Sequence, residues 1–220
     1  MTIQLPNSTG QLEPYTLREP ANYQPPSEPF KSRILYAAVH VVADPKADNS
    51  EGKPATLDWE KTLAYRHHLW KYGFAVAEAM DTAQRGFGLD WKATKELIKR
   101  SVAEAKSVNG KIACGAGTDQ LSEPYSVLTL DDIINAYEEQ LEHIEGYGGR
   151  IILMALRALA AVAKSPDDYA KVYSHILNQV SEPVILHWLG DMFDPKLKGY
   201  WGAAEFEAAM QSMLAVIHDN

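Results

Sequence analysis

Apolar residues along this chain fall into short clustered runs, each followed by a longer stretch in which they recur at helical spacing. The runs begin near Ile34 (ILYAAVHVV), Phe74 (FAVAEAM), Ile112 (IACGAG), Ile151 (IILMAL) and Val184 (VILHWLG). Their β-branched content and bounding turn residues predict strands. Between and after them lie amphipathic stripes. Ile133, Ile134, Tyr137, Leu141 and Ile144 form one. A second runs from Tyr169 through Val172, Tyr173, Ile176 and Leu177 to Val180, and Phe206, Met210, Met213, Leu214 and Ile217 form a third. Apolar positions three and four apart make one face of a helix.

Punctuation agrees with these elements. In Ser165-Pro166-Asp167-Asp168 the serine is expected to cap orphan amides, proline suits the first helical position, and the acids face the positive end of the dipole. Thr129 with Asp131 and Asp132 repeats the logic. Gly73 and Gly148-Gly149 stand where helices should stop before the next strand. Residues 1–30 differ: Pro6, Pro14, Pro20, Pro25, Pro26 and Pro29 among polar neighbours predict an extended arm without regular ladders.

Residues 31–220 therefore read as five β-α units with a period of about 33–40 residues, the span of a parallel βαβ crossover. Two α/β architectures fit. One is a five-stranded doubly wound sheet, which the pattern taken alone slightly favours. The other is an incomplete (β/α)8 TIM barrel, since a full barrel takes roughly 250 residues.

Composition narrows the partners. The 220 residues carry a net charge of −8, which argues against a general nucleic-acid or anionic-membrane surface. A single cysteine, Cys114, suits a reducing compartment, and no secretory leader or membrane-length apolar run is read. A cytoplasmic location is the expectation.

In either architecture ligands bind at the C-terminal ends of the strands. The first strand delivers His40 and Asp44 there. The second delivers Glu78, Asp81, Thr82, Gln84 and Arg85, and the third Gly115, Gly117, Thr118, Asp119 and Gln120. The fourth delivers Arg157, and the fifth His187, Trp188, Asp191 and Asp194. Such a rim of histidines, acids and arginines exceeds what a solvated face needs. Each residue also has a plainer role. A histidine within an apolar run, such as His40 or His187, is commonly a hydrogen-bonded core residue. Glu78, among alanines and a valine, is costly to bury unless paired, and a structural pair with Arg157 or Arg85 competes with a catalytic role. Asp81 and Arg85 could form a loop salt bridge. Trp188 is expected to be a pocket wall and Cys114 a small buried hydrophobe. His67 and His68 fall on an outer helix, and Lys164 before a helix start.

The stretch IACGAGTDQL lacks the third glycine of a dinucleotide fingerprint, and no Gly-Lys-Ser/Thr phosphate loop is present. Its glycines either allow close approach to a carboxylate or phosphate or simply make a tight βα turn.

Taken in order, AEAMDTAQRGFGLDW, IACGAGTDQL, GGRIILMALRALA and EPVILHWLGDMFDP resemble an uncharacterised domain-of-unknown-function family of dihydrodipicolinate synthase-like proteins in the class I aldolase superfamily. The resemblance spans Ile34 to Ile217. It implies a (β/α)8 barrel, of which this chain would be the N-terminal five units. In the better-known relatives strand three ends in a similar glycine turn, matched by Gly115-Ala116-Gly117. His187-Trp188-Leu189-Gly190 replaces a Tyr-Asn-x-Pro segment, and Ala79-Met80-Asp81-Thr82-Ala83 retains only Thr82 of a carboxylate-binding loop. Leu156-Arg157 stands where those enzymes end strand four in a proton-relaying tyrosine. Dihydrodipicolinate synthesis itself is therefore not implied. Their Schiff-base lysine ends strand six, and Lys111, Lys196 and Lys198 do not fill that place, so the lysine is expected beyond Asn220.

Three functions follow as expectations. The first is an aldolase- or lyase-like enzyme acting on a small oxoacid, with no cofactor. His187 would be its acid/base, Glu78 and Arg157 further catalytic candidates. His40, Asp81, Thr82, Arg85, Gly115, Gly117, Thr118 and Trp188 would contact substrate, Arg157 or Arg85 holding its carboxylate. The second is a metal-dependent lyase or isomerase using His40, Glu78, Asp81 and His187. The third is a non-enzymatic module or an inactive fragment. Five units leave two parallel edges exposed, which favours self-association into a homo-oligomer.

Overall fold

A computed structural model describes residues 1–50, 53–83, 85 and 88–220. Gln84 lies outside the described residues.

The first thirty residues depart from an uninterrupted extended arm. Thr2–Pro6 (β1) and Leu12–Thr16 (β2) pair as an antiparallel hairpin. Two of the prolines sit inside it without harm. The Asn7 amide donates to Gln11 and the Leu17 amide to Met1, so the hydrogen-bonded pairs alternate from those ends. Pro14, opposite Gln4, and Pro6, opposite Leu12, fall on the non-bonded pairs, where a missing N–H costs nothing.

Five strands then form one all-parallel sheet: β3 (Tyr36–Ala38), β4 (Ala75–Glu78), β5 (Ile112–Ala116), β6 (Arg150–Met154) and β7 (Ile185–His187). Each coincides with one of the five apolar runs, β6 starting one residue earlier at Arg150. They lie side by side in chain order and curl into a half-barrel, an α/β arrangement. The helices are α1 (Trp59–Lys71), α2 (Trp91–Ser107), α3 (Leu130–Gly146), the short α4 (Arg157–Val162), α5 (Pro166–Leu177) and α6 (Phe206–Asp219).

Register assigns the sheet two unlike faces. Val76, Cys114, Ile151 and Leu153 pack among helical residues such as Leu97, Ile133, Tyr137 and Ile176 in the main core. The alternate residues Ala77, Ala113, Ile152 and Met154 make a separate small cluster with Met80, and no helical residue joins it among the described residues. The helices thus cover one face, and the other curls inward on itself. Because parallel partners point the same way, His187, opposite Met154, belongs to the inner face.

The helix ends follow local chemistry. Thr129 and Asp132 form a reciprocal capping box on α3. Asp58 and Asp90 cap α1 and α2 through their side chains. Ser165 does not act as expected: its side chain makes no capping bond, Pro166 begins the helix, and Asp168 instead accepts from the Lys164 amide at 2.7 Å. Gly73 and Gly148 stand at φ +82° and +75°, the left-handed turn that ends a helix before the next strand.

Candidate functional site at the strand ends

A cleft of about 260 Å³ opens where the chain leaves β4, β5, β6 and β7. Asp81 and Arg85 reach it from the first loop and Thr118 and Asp119 from the second. Leu156 and Arg157 come from the third, Leu189 and Asp194 from the fourth, and Tyr125 and Leu197 close its sides. Asp81, Arg85, Thr118 and Arg157 are thereby brought together. His40, Glu78, Thr82, Gly115, Gly117, His187 and Trp188 are not among its lining residues.

Glu78 faces the helical layer. It is fully buried and bound bidentately by Arg66 of α1, Nε to Oε2 at 2.9 Å and Nη2 to Oε1 at 2.8 Å. Its partner is therefore neither Arg157 nor Arg85. Arg66 also donates to the His40 carbonyl at 2.6 Å, while the His40 side chain is exposed. The Thr82 hydroxyl lies 3.5 Å from the Val39 carbonyl. Trp188 does not line this cleft and instead stacks on Phe206 of α6, ring centroids 5.6 Å apart.

Arg85 pairs with Asp119, not with Asp81. Its Nε and Nη2 donate to Asp119 Oδ1 at 3.0 and 2.7 Å, and its Nη1 donates to the Gly115 carbonyl at 2.5 Å and the Ala79 carbonyl at 3.1 Å. Nη2 also meets Gln140 Oε1 of α3. These bonds tie the loops after β4 and β5 to a helix. They also occupy the guanidinium that could have held a substrate carboxylate. Gln140 Nε2 completes the lattice by donating to Asp119 Oδ1 at 2.9 Å.

Close approach at the two glycines is made by the protein itself. A Cβ on Gly115 would stand 2.6 Å from Met154 Sδ and 2.9 Å from the Ala79 carbonyl, and one on Gly117 2.2 Å from Leu156 Cδ1. Neither glycine has a positive φ, so packing against neighbouring segments of the chain, rather than a turn conformation, is the physical reason for both.

Ala79 has φ +54°, a left-handed conformation unusual for alanine. Its amide donates to Glu78 Oε1 at 2.9 Å and its carbonyl accepts from Arg85. Bonds on both sides hold the turn that carries the chain from β4 to Asp81. Burial pushes the Asp81 carboxyl above its ordinary range, with His187 and Arg85 opposing. Burial pulls the His187 imidazole below its ordinary value, with the Asp81 charge opposing. The two groups feel one another, and their proton affinities move toward each other. Asp119 is different: burial works against its charge, but Arg85 and Gln140 prevail and hold it below the usual carboxylate range. Cys114 is buried, and its thiol is pushed well up by burial and by Glu78, which leaves it inert.

Arg157 begins α4 and donates from Nε to Asp194 Oδ2 at 2.5 Å on the cleft wall. Among the described residues no three His, Cys, Asp or Glu side chains gather closely enough to hold a metal ion, so His40, Glu78, Asp81 and His187 do not form a ligand set. No helix among them is long and apolar enough to cross a membrane.

Sequence reasoning gave no site role to Gln140, Tyr125, Leu189 or Leu197. Gln140 did leave a signal: it lies three residues after Tyr137 on the apolar face of α3, where a polar side chain needs buried partners. The apolar lining left none.

None of the curated proteins matches this sequence. Residues 3–220 match the family described as "Protein of unknown function (DUF993)", and the chain belongs to that family.

Proposed function

We propose that the chain forms five successive units of a (β/α)8 barrel, and that its rim cleft serves an aldolase- or lyase-like reaction on a small oxoacid. The barrel reading is supported by a strand order that never reverses and by helices confined to one face. One observation carries the functional reading: Asp81, Thr118 and Arg157, from three successive strand ends, converge on one cleft. Arg157 on its wall would take the substrate carboxylate, competing with Asp194, because a guanidinium fork matches a carboxylate. His187, inner-facing and coupled to Asp81, would move protons near neutral pH. The electron sink for carbon–carbon cleavage would be a lysine Schiff base from a sixth unit.

Incubating a chain that includes the sixth unit with pyruvate and sodium borohydride tests this by intact mass. A reduced adduct on one lysine is expected. Turnover of an oxoacid with no trapped adduct overturns the Schiff-base reading.

A further inference from the structure

The hairpin of β1 and β2 stands clear of the sheet and its helices. Every residue of its two strands is exposed except Ile3, which is half-buried. The segment that follows does dock: Tyr72 donates to the Tyr23 carbonyl at 3.2 Å, and the Phe30 ring meets Phe74 edge-on with centroids 6.0 Å apart. The hairpin nevertheless lies inside the family match, which starts at residue 3. A two-stranded hairpin with little packed on it is marginal in water, and further strands are what stabilise it.

Its two edges are not equivalent. On a non-bonded pair the backbone groups point away from the partner strand. Thr2, Gln4 and Pro6 therefore turn their backbone outward from β1, and Leu12, Pro14 and Thr16 outward from β2. Pro14 removes the central donor of the β2 edge and so guards it against pairing. On β1 the central donor, the Gln4 amide, is intact, and proline stands only at the end. No charged side chain guards this edge, since residues 1–12 carry none. The whole chain carries −8, so copies repel over most of their surface, and an uncharged edge is where two of them can meet.

We propose that β1 pairs antiparallel with β1 of a second copy, giving a four-stranded sheet in the order β2-β1-β1-β2. With Gln4 on the two-fold axis, each Gln4 amide donates to the Gln4 carbonyl of the other copy, and each Thr2 amide to a Pro6 carbonyl. Pro6 thus serves as an acceptor, which its ring permits. Ile3 lies opposite Leu5 of the other copy on a non-bonded pair, where side chains approach most closely, and Tyr15 shares their face of the sheet. Because each copy has one open hairpin edge, the assembly closes at two rather than growing.

Sedimentation equilibrium of the full chain from about 5 to about 500 µM tests this, since a seam this small falls at the weak end of interfaces. The mass should rise from 24.4 kDa toward twice that value. Gln4→Pro removes the outward amide but none of the hairpin's own bonds, as Pro14 already does opposite it, and should weaken the dimer about tenfold or more. Thr16→Pro, the same change on the outer edge of β2, should leave the dimer intact. Gln4→Glu and Gln4→Lys each set like charges face to face and should weaken self-association about threefold or more, while an equimolar mixture of the two variants should restore it. A monomer at every concentration overturns the pairing. So does a dimer indifferent to Gln4→Pro, which places association elsewhere, for example at the open edges of the five-stranded sheet. A Thr16→Pro effect equal to that of Gln4→Pro, or a Glu/Lys mixture no tighter than its components, overturns it as well.

Discussion

Arg66 of α1 and Glu78 of β4 form a wholly buried, two-pronged ion pair that joins the helical layer to the strand leading into the cleft. Glu78 also accepts the Ala79 amide, so the pair extends into the left-handed turn before Asp81. Removing one partner leaves a buried charge uncompensated. Glu78→Leu and Arg66→Met should each cost about 3–5 kcal/mol in urea unfolding. The double variant Arg66→Met/Glu78→Leu should recover part of that loss; strict additivity would show that the two are not coupled.

His187 should titrate below its ordinary value of 6.5, as read from its ring proton shifts by NMR. The sign follows from burial, which favours the neutral ring. The unfolded chain takes up the proton first as pH falls below 6.5, so stability from this group is intact above that value and is lost as pH drops toward the folded pKa. Asp81→Asn should lower the titration further, because the Asp81 charge now holds it up. An upward movement in that variant would refute their coupling.

Gly117→Ala places a methyl on Leu156, whose terminal carbon lies 2.2 Å from the new Cβ. Leu156 must swing away, and a cost of about 1–3 kcal/mol is expected in thermal unfolding. Leu156→Ala in the same chain should relieve most of it. Gly115→Ala should be harder to rescue, since the Ala79 carbonyl at 2.9 Å is backbone.

Thr129→Ala removes one half of the α3 capping box and should cost about 1 kcal/mol. Ser165→Ala, whose hydroxyl caps nothing, should be nearly silent. Paired denaturation curves of the two variants check the contrast.

Arg157→Gln should weaken oxoacid binding about tenfold or more if the guanidinium takes the carboxylate. Titration of pyruvate into the variant reads this directly, and unchanged affinity would assign the carboxylate to another group.

Periodicity and local chemistry were enough to read the five strands, helices α3, α5 and α6, the Thr129 cap and the glycine stops, because each depends on neighbours a few residues apart. The strand ends were equally legible, and Asp81, Thr118 and Arg157 do meet there. The hairpin of residues 2–16 was not read, because proline was counted as a ladder breaker when only its place in the ladder matters. Charge partners were decided by tertiary structure alone. Arg66 reaches Glu78, and Arg85 turns to Asp119 and Gln140, because a guanidinium goes where the fold brings a buried acceptor, whatever the sequence separation. The same applies to Gly115 and Gly117. Their spacing said that something comes close, and only packing showed it to be Met154 and Leu156.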